Sequence, residues 1–179
     1  MNRGVMLDAL RRLGAHTQAA GIRLEVSIYG GAVFLLAYDS REATRDVDAI
    51  LRPREEGQRF VEQVARELDI PEDWLNSNVE QFVSPLGEAK RRLAEIEDAT
   101  GLIVHVPTAG YLLAMKALAC RRPIGAYQGD IEDLRFLIHK TEIQSVEQIQ
   151  SIVDSFYPDD VIPASDRALL ETLIQSNHE

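Results

Sequence analysis

The sequence has little cysteine, no long apolar run and no export signal, and each absence excludes a class of protein. Cys120 is the only cysteine, so no disulfide can form within the chain, which favours a reducing compartment. The longest apolar runs, such as 32–37, fall far short of the roughly 20 residues that a transmembrane helix requires. The first residues contain no apolar stretch of signal-peptide length. We therefore expect a soluble, cytoplasmic protein that makes no contact with a membrane.

Positive charge is also scarce. Lysine and arginine together number 19, against 29 aspartate and glutamate residues, which gives a formal net charge of −10. Binding to nucleic acid over a broad surface depends on lysine and arginine side chains that displace counterions from phosphates. The acidic excess argues against such a surface, so any contact with nucleic acid is expected to be local.

What the sequence does have is the composition of a folded domain. Of its 179 residues, 45% are hydrophobic and 27% are charged, which is ordinary for a globular protein. This length suits one compact core of about 100 residues with a smaller helical appendage. We expect an α/β core over 1–106 and a helical part over 107–179 that packs on it.

Hydrophobic periodicity predicts the order of the helices and strands. Apolar residues three and four positions apart indicate helices, whereas strict alternation over 24–29 indicates a half-buried strand. Helices are predicted over 4–19, 32–38, 54–68 and 108–121, and from Pro71, Asp130, Ser145 and Ser165 onwards; strands are predicted over 24–29, 46–51 and 102–106. The charged segment 84–100 is compatible with a surface helix or a loop, and a break is expected over 123–129.

Two adjacent glycines, Gly30 and Gly31, separate the first predicted strand from the short helix that follows it. Glycine allows the backbone to approach a phosphate closely. The start of a helix also offers backbone N–H groups and the positive end of the helix dipole. This arrangement predicts a turn that binds an anion.

Asp46 and Asp48 lie on the second predicted strand, two positions apart. Alternate residues of a strand point to the same face, and a rise of about 3.4 Å per residue separates the two Cα atoms by about 7 Å. Two carboxylates beside a phosphate suit magnesium or manganese, which bind hard oxygen ligands. The alternative is a solvated pair of carboxylates on the exposed face of an edge strand.

These motifs, with their downstream continuation, resemble a known family. Gly30 and Gly31, a short helix, and the pattern Thr44-x-Asp46-x-Asp48 look like the signature of the nucleotidyltransferase superfamily, in the branch related to AbiEii toxins and uncharacterised bacterial relatives. In that branch a later helix carries a lysine and a further helix opens with Asp-x-x-Asp. The corresponding residues here are Lys116, Asp130 and Asp133, and the resemblance spans roughly 24–138.

The resemblance implies an α+β fold, with a small mixed sheet flanked by helices and a helical C-terminal part. It implies an enzyme that moves a nucleotidyl group from a nucleoside triphosphate to a transfer RNA or protein acceptor. The protein would then be the toxin of a toxin–antitoxin or phage-defence pair, with an antitoxin as partner. A catalytically weakened nucleotide-binding or regulatory module of the same fold is the alternative.

The resemblance also implies a role for each matched residue. Gly30, Gly31, Thr44 and the neighbouring Arg45 would contact the nucleotide. The metal ligands would be Asp46 and Asp48, which would act in catalysis together with Lys116, Asp130 and Asp133.

Two departures from the family pattern leave this assignment open. The strand over 102–106 carries His105 where many nucleotidyltransferases have a third carboxylate, and Gly129 stands where a basic residue often precedes the helix. Either Asp130 or Asp133 then acts as the base, or the enzyme is weakened. His105 is either a general base or an ordinary strand histidine.

Simpler roles also remain for the other polar residues. Lys116 would then extend its ammonium group to water, and Asp130 would cap its helix. Asp133 would be a negative charge in the first turn that the helix dipole stabilises. Arg41 and Arg45 would contact a triphosphate or be solvated.

Overall fold

The fold of this chain is α+β. A computed structural model describes residues 1–96, 101–121 and 129–176. The helices in these residues are α1 (Arg3–Ala19), α2 (Gly31–Leu36), α3 (Arg54–Leu68), α4 (Ala109–Leu118), α5 (Ile131–Lys140), α6 (Val146–Phe156) and α7 (Ala164–Ser176). The strands are β1 (Leu24–Tyr29), β2 (Val47–Arg52), β3 (Leu75–Asn76), β4 (Lys90–Arg92) and β5 (Leu102–Pro107).

The five strands form one mixed sheet in the order β3-β2-β1-β5-β4. The central strand β1 is antiparallel to β2 and parallel to β5. At the edges, β3 runs parallel to β2, and β4 runs antiparallel to β5. The register places Tyr29 of β1 opposite Asp48 of β2, and Asp48 opposite Asn76 of β3.

Alternation along β1 decides which side of the sheet carries the apolar core. Leu24, Val26 and Ile28 are fully buried on one face. Helix α3 packs against β2 on that side, and Gly57 of α3 lies so close to Leu24 that a Cβ atom there would come within 2.8 Å of its side chain. The opposite face of β1 therefore carries its polar residues.

The contacts within the chain define two compact units. The first comprises Met1–Gln81 and Lys90–Pro107, and contains the whole sheet with α1, α2 and α3. The second comprises Phe82–Ala89 and Thr108–Glu179, and contains α4, α5, α6 and α7. In the second unit the hydroxyl of Tyr111 accepts a hydrogen bond from the Ser84 N–H at 2.9 Å, and its ring centroid lies 4.7 Å from that of Phe156.

The predicted helix from Pro71 is wrong. The N–H of Trp74 bonds to the carbonyl of Pro71 in a turn, and the chain then forms β3 and a short 3-10 helix over Asn78–Phe82. The reason lies in the sheet, because the carbonyl of Trp74 accepts a hydrogen bond from Val47 N–H at 2.7 Å at the edge of β2. Helical backbone would have turned that carbonyl away from the strand.

Two remaining segments and the lengths of the helices can also be compared with the expectations from the sequence. The charged segment 84–100 contains β4 and a 3-10 helix over Ala94–Ile96. Most of the break expected over 123–129 lies outside the described residues. Across the ranges that the structure describes, no helix has the length and apolar character needed to cross a membrane.

Candidate active site

The turn at Gly30 brings the backbone directly against Asp48. Gly30 precedes α2 with φ 61° and ψ −146°, a conformation that side-chain-bearing residues seldom adopt. A Cβ atom at this position would lie 2.6 Å from Oδ2 of Asp48. The sequence therefore needs glycine here both for the backbone conformation and for the space beside the carboxylate.

Gly31, the first residue of α2, is bordered by two polar side chains of the loop that follows the helix. A Cβ atom at Gly31 would lie 2.8 Å from Oγ1 of Thr44 and 3.0 Å from Nη1 of Arg41. The Arg41 guanidinium also lies over the ring of Phe34, 5.6 Å from its centroid. A hydroxyl and a cation thus meet at the glycine turn, and both are suited to donate hydrogen bonds to an anion.

Asn76 links the two aspartates. Its Nδ2 donates a hydrogen bond to Oδ2 of Asp46 at 3.2 Å, while its backbone is the register partner of Asp48. Asp46 lies one residue before β2, so its side chain is placed by Asn76 and by the loop, and not by strand pleating alone. We define the glycine–aspartate site as Gly30, Gly31, Thr44, Asp46 and Asp48, with Asn76 and Arg41 at its border.

The amino terminus braces the loop that carries Thr44. Thr44 N–H donates to the carbonyl of Met1 at 3.0 Å, and the amino group of Met1 donates to the Thr44 carbonyl. Asn2 and Ala43 form an isolated antiparallel bridge at the same place. The Thr44 hydroxyl in turn donates to the carbonyl of Asp46 at 3.3 Å. This chain of contacts fixes the approach to the two carboxylates.

The oxygen donors of the glycine–aspartate site suit a hard divalent cation. Asp46 and Asp48 supply two half-buried carboxylates, and Thr44 adds a hydroxyl oxygen. In the portions of the chain that are described, no three or more His, Cys, Asp or Glu side chains come together as a metal site. A magnesium ion commonly completes its shell with water and substrate phosphate oxygens, so two protein carboxylates are chemically sufficient.

No family model, curated protein or solved structure matches the chain. The function of the site is therefore inferred from its own geometry.

Lys116, Asp130 and Asp133 form a buried cluster in the second unit. Nζ of Lys116 lies 2.6 Å from Oδ1 of Asp130 and 2.7 Å from Oδ2 of Asp133. All three residues are buried, with exposures of 6%, 2% and 2%. The simpler interpretation of Lys116, in which its ammonium group extends to water, is therefore wrong. We call these three residues, with Arg121, the lysine–aspartate cluster.

Arg121 completes this cluster on its solvent side. Its Nε and Nη2 donate to the two oxygens of Asp130 at 3.2 and 3.1 Å, and its backbone N–H donates to Oδ2 at 2.9 Å. Asp130 stands at the N-cap position of α5, but its side chain makes no capping hydrogen bond. The expected cap is therefore wrong, because the carboxylate is turned to Arg121 and Lys116.

The electrostatics of Asp130 follow from these contacts. Burial, the largest influence, raises the pKa of its carboxyl, but the hydrogen bonds and charges of Arg121 and Lys116 outweigh burial. The pKa of Asp130 is consequently below its ordinary value of 3.8, and the group is ionised at neutral pH.

The predicted residues thus fall into two groups. Gly30, Gly31, Thr44, Asp46 and Asp48 come together in the first unit. Lys116, Asp130 and Asp133 come together in the second, and their meeting with Asp46 and Asp48 stays a prediction. The neighbouring Arg45 is exposed.

The sequence did not indicate Asn76 or the contact between Met1 and Thr44. Asn76 follows a proline-containing turn and lies in no apolar pattern, so only its position beside Asp46 reveals it.

Proposed function

We propose that this chain is a nucleotidyltransferase that moves a nucleotidyl group from a nucleoside triphosphate to a hydroxyl acceptor. One observation carries the proposal: the backbone of the Gly30 turn lies directly against the Asp48 carboxylate, since a Cβ atom at Gly30 would come within 2.6 Å of Oδ2. A glycine turn next to paired carboxylates suits a ligand that contains both phosphate and a divalent cation.

The residues of the site divide the chemistry among them. Asp46 and Asp48 would hold magnesium or manganese, which would neutralise charge on the phosphate oxygens. The turn at Gly30 and Gly31 would receive the triphosphate. Thr44 donates its hydroxyl hydrogen to the carbonyl of Asp46 in the structure and would have to turn it towards a phosphate oxygen when the nucleotide binds. The oxygen of the acceptor attacks the α-phosphorus, and pyrophosphate leaves in line with it.

Arg41 supplies positive charge to the triphosphate in this proposal. Its Nη1 borders Gly31, and a guanidinium recognises phosphate oxygens well. Lys116 is already held by two carboxylates in the lysine–aspartate cluster, so its charge is shared with Asp130 and Asp133. We propose that this cluster fixes the start of α5, and that any contact of Lys116 with phosphate is secondary.

The acceptor in this proposal is a transfer RNA or a protein. By resemblance, the protein would be the toxin of a toxin–antitoxin or phage-defence pair, working in the cytoplasm with an antitoxin that controls it.

A binding or regulatory module without turnover is the second candidate. Only two carboxylates meet at the glycine–aspartate site, and within the described ranges no third acidic, histidine or cysteine side chain joins them. Such a module would bind a triphosphate with a divalent cation but would release no pyrophosphate.

One experiment separates these functions. The protein is incubated with magnesium, a cell extract and each of the four nucleoside triphosphates labelled at the α-phosphate, and RNA and protein are separated. The proposed enzyme transfers label to one macromolecule and releases pyrophosphate. Bound triphosphate without transfer favours the regulatory module, and absence of magnesium-dependent binding contradicts both.

A further inference from the structure

Asn76 uses both ends of its side-chain amide. Its carbonyl Oδ1 accepts a hydrogen bond from the backbone N–H of Asn78 at 3.0 Å, and its Nδ2 donates to Oδ2 of Asp46 at 3.2 Å. A backbone N–H can only donate, and a carboxylate can only accept. The two contacts therefore fix which end of the amide faces each partner, because a reversed amide would lose both hydrogen bonds.

The short strand β3 holds Asn76 in place. The carbonyl of Trp74 accepts a hydrogen bond from the Val47 N–H at 2.7 Å, and the indole Nε1 of Trp74 donates to the carbonyl of Val61 at 3.1 Å. Trp74 and Leu75 are almost fully buried, whereas Asn76 is half-buried. A side chain on an anchored backbone is suited to orient a neighbouring group with little loss of freedom.

The hydrogen bond from Asn76 occupies one of the two oxygens of Asp46. In the part of the chain that the structure describes, no other donor is hydrogen-bonded to this carboxylate. The Asp46 side chain is half-buried, so solvent reaches it. Oδ1 is therefore the oxygen that Asp46 offers most readily to a cation, while Oδ2 is shared with the amide.

This sharing of Oδ2 favours a cation that binds a carboxylate through one oxygen. Mg²⁺ is small, demands nearly octahedral geometry, and is usually held by one or two carboxylates with water and phosphate oxygens. Ca²⁺ is larger, takes more oxygen ligands in flexible geometry, and often binds both oxygens of one carboxylate. An amide N–H on Oδ2 competes with a second contact between Asp46 and the metal, so it disfavours calcium more than magnesium.

We propose that Asn76 is the positioning residue that makes the glycine–aspartate site selective for magnesium or manganese over calcium. It holds Asp46 so that a single oxygen of this carboxylate binds the cation. The inference rests on the proposed function, in which Asp46 and Asp48 hold the metal.

The arrangement suits in-line displacement at phosphorus. The attacking oxygen and the phosphorus must be held in one geometry, and a cation with strict coordination provides that geometry better than one with flexible coordination. A neutral amide orients the carboxylate without adding negative charge. An asparagine that only closed the turn before the 3-10 helix would need the contact with Asn78, but not the contact with Asp46.

The test measures the binding of metal ions directly, without turnover. The probe is Mn²⁺ alone, whose paramagnetic resonance signal weakens when the ion binds to protein. Mg²⁺ or Ca²⁺ is then added, and the ratio of the concentrations that displace Mn²⁺ measures the selectivity of the site. The chain has a net charge of −10, so Asp46→Ala is titrated in parallel to subtract binding at other acidic positions.

Two variants remove the amide donor in different ways. Asn76→Asp keeps an oxygen for the N–H of Asn78, so the turn is retained while the donor to Asp46 is lost. Asn76→Ala loses both contacts. Asn78→Ala is the matched control, because the Asn78 side chain is exposed and its backbone N–H remains.

We expect the preference for Mg²⁺ over Ca²⁺ to fall about tenfold in both Asn76 variants, at the lower end of the effects that partners of metal ligands usually have. Asn78→Ala should keep the wild-type preference. A merely structural role would weaken the binding of all three cations alike and would leave the ratio unchanged.

Each outcome decides the inference. An unchanged ratio in Asn76→Asp, or an equal change in Asn78→Ala, overturns the role of Asn76 and leaves the proposed function standing. Loss of the folded state in both Asn76 variants, measured by thermal unfolding, also overturns it, because Asn76 would then support the fold. Equal binding of Mn²⁺ by the wild type and Asp46→Ala overturns the metal assignment, and with it both proposals.

Discussion

Gly30 and Asp48 face each other so closely that a single added carbon would collide with the carboxylate: a Cβ atom at Gly30 would lie 2.6 Å from Oδ2. The two residues belong to the turn after β1 and to the neighbouring strand β2. Their proximity is what connects the phosphate-binding turn to the metal-binding carboxylates in the proposed function.

Gly30→Ala should therefore damage the site more than the fold. The positive φ angle costs a side-chain-bearing residue about 1–3 kcal/mol, and the new methyl group must also displace Asp48. We expect the affinity for magnesium and triphosphate to fall at least tenfold. Gly21→Ala is the matched control, because Gly21 has φ 68° but nothing within 4 Å of the added Cβ. Equal losses of affinity in the two variants would contradict the role of the turn.

Asp46→Ala and Asp48→Ala should each abolish metal-dependent triphosphate binding without loss of stability. Removing either carboxylate deletes a metal ligand and relieves repulsion between two like charges. Calorimetric titration with magnesium and triphosphate measures the affinity, and thermal unfolding measures the stability. The control is Glu42→Ala, which removes an exposed carboxylate from the same loop. If either variant bound magnesium and triphosphate as strongly as the wild type, the assignment of Asp46 and Asp48 as metal ligands would be wrong.

Lys116→Met should be strongly destabilising. The substitution leaves Asp130 and Asp133 as buried carboxylates with Arg121 as the remaining cation, and loss of one partner from a buried ion pair costs about 3–5 kcal/mol. Lys140→Met, at an exposed position at the end of α5, should change the unfolding free energy little. Equal stability of the two variants would show that the cluster is not a structural anchor.

Asp130 should make stability depend on pH in the acidic range. Its folded-state pKa is lower than the ordinary 3.8, so its contribution is complete above that value and is lost as the pH falls through the folded-state pKa. Asp130→Asn should be less stable than the wild type at pH 7, and the difference should narrow below about pH 4. Chemical unfolding at several pH values measures this, and a constant difference would contradict the assignment.

Local patterns in the sequence account for most of the fold. Alternation predicted a strand over 24–29, where β1 is Leu24–Tyr29, and helical spacing predicted 54–68, where α3 is Arg54–Leu68. Helix α3 buries one regular face. Strand β1 was expected to be half-buried, but it lies at the centre of the sheet and also buries Ser27 and Tyr29 on its second face. Pro71 is an ambiguous signal, because a proline suits the first turn of a helix and also a tight turn. Hydrogen bonding to β2 decided between these structures, and local sequence does not encode it.

The glycine–aspartate site was predictable to the extent that its motif is local. Gly30, Gly31, Thr44, Asp46 and Asp48 lie within one strand–helix–strand segment, so their approach follows from chain order. Asn76 is 30 positions from Asp46, and Glu25 meets His105 only through the pairing of β1 with β5. Such contacts depend on strand order in the sheet, which periodicity does not reveal.

The central claim is that the chain transfers a nucleotidyl group, and the position of the transferred phosphorus tests this most directly. Two parallel incubations use magnesium and cell extract, one with triphosphate labelled at the α-phosphate and the other with triphosphate labelled at the γ-phosphate. We predict that α-label enters a macromolecule while γ-label is released as pyrophosphate, and that Asp48→Ala abolishes both signals. Transfer of γ-label, or no transfer of α-label from any of the four triphosphates, would contradict the account.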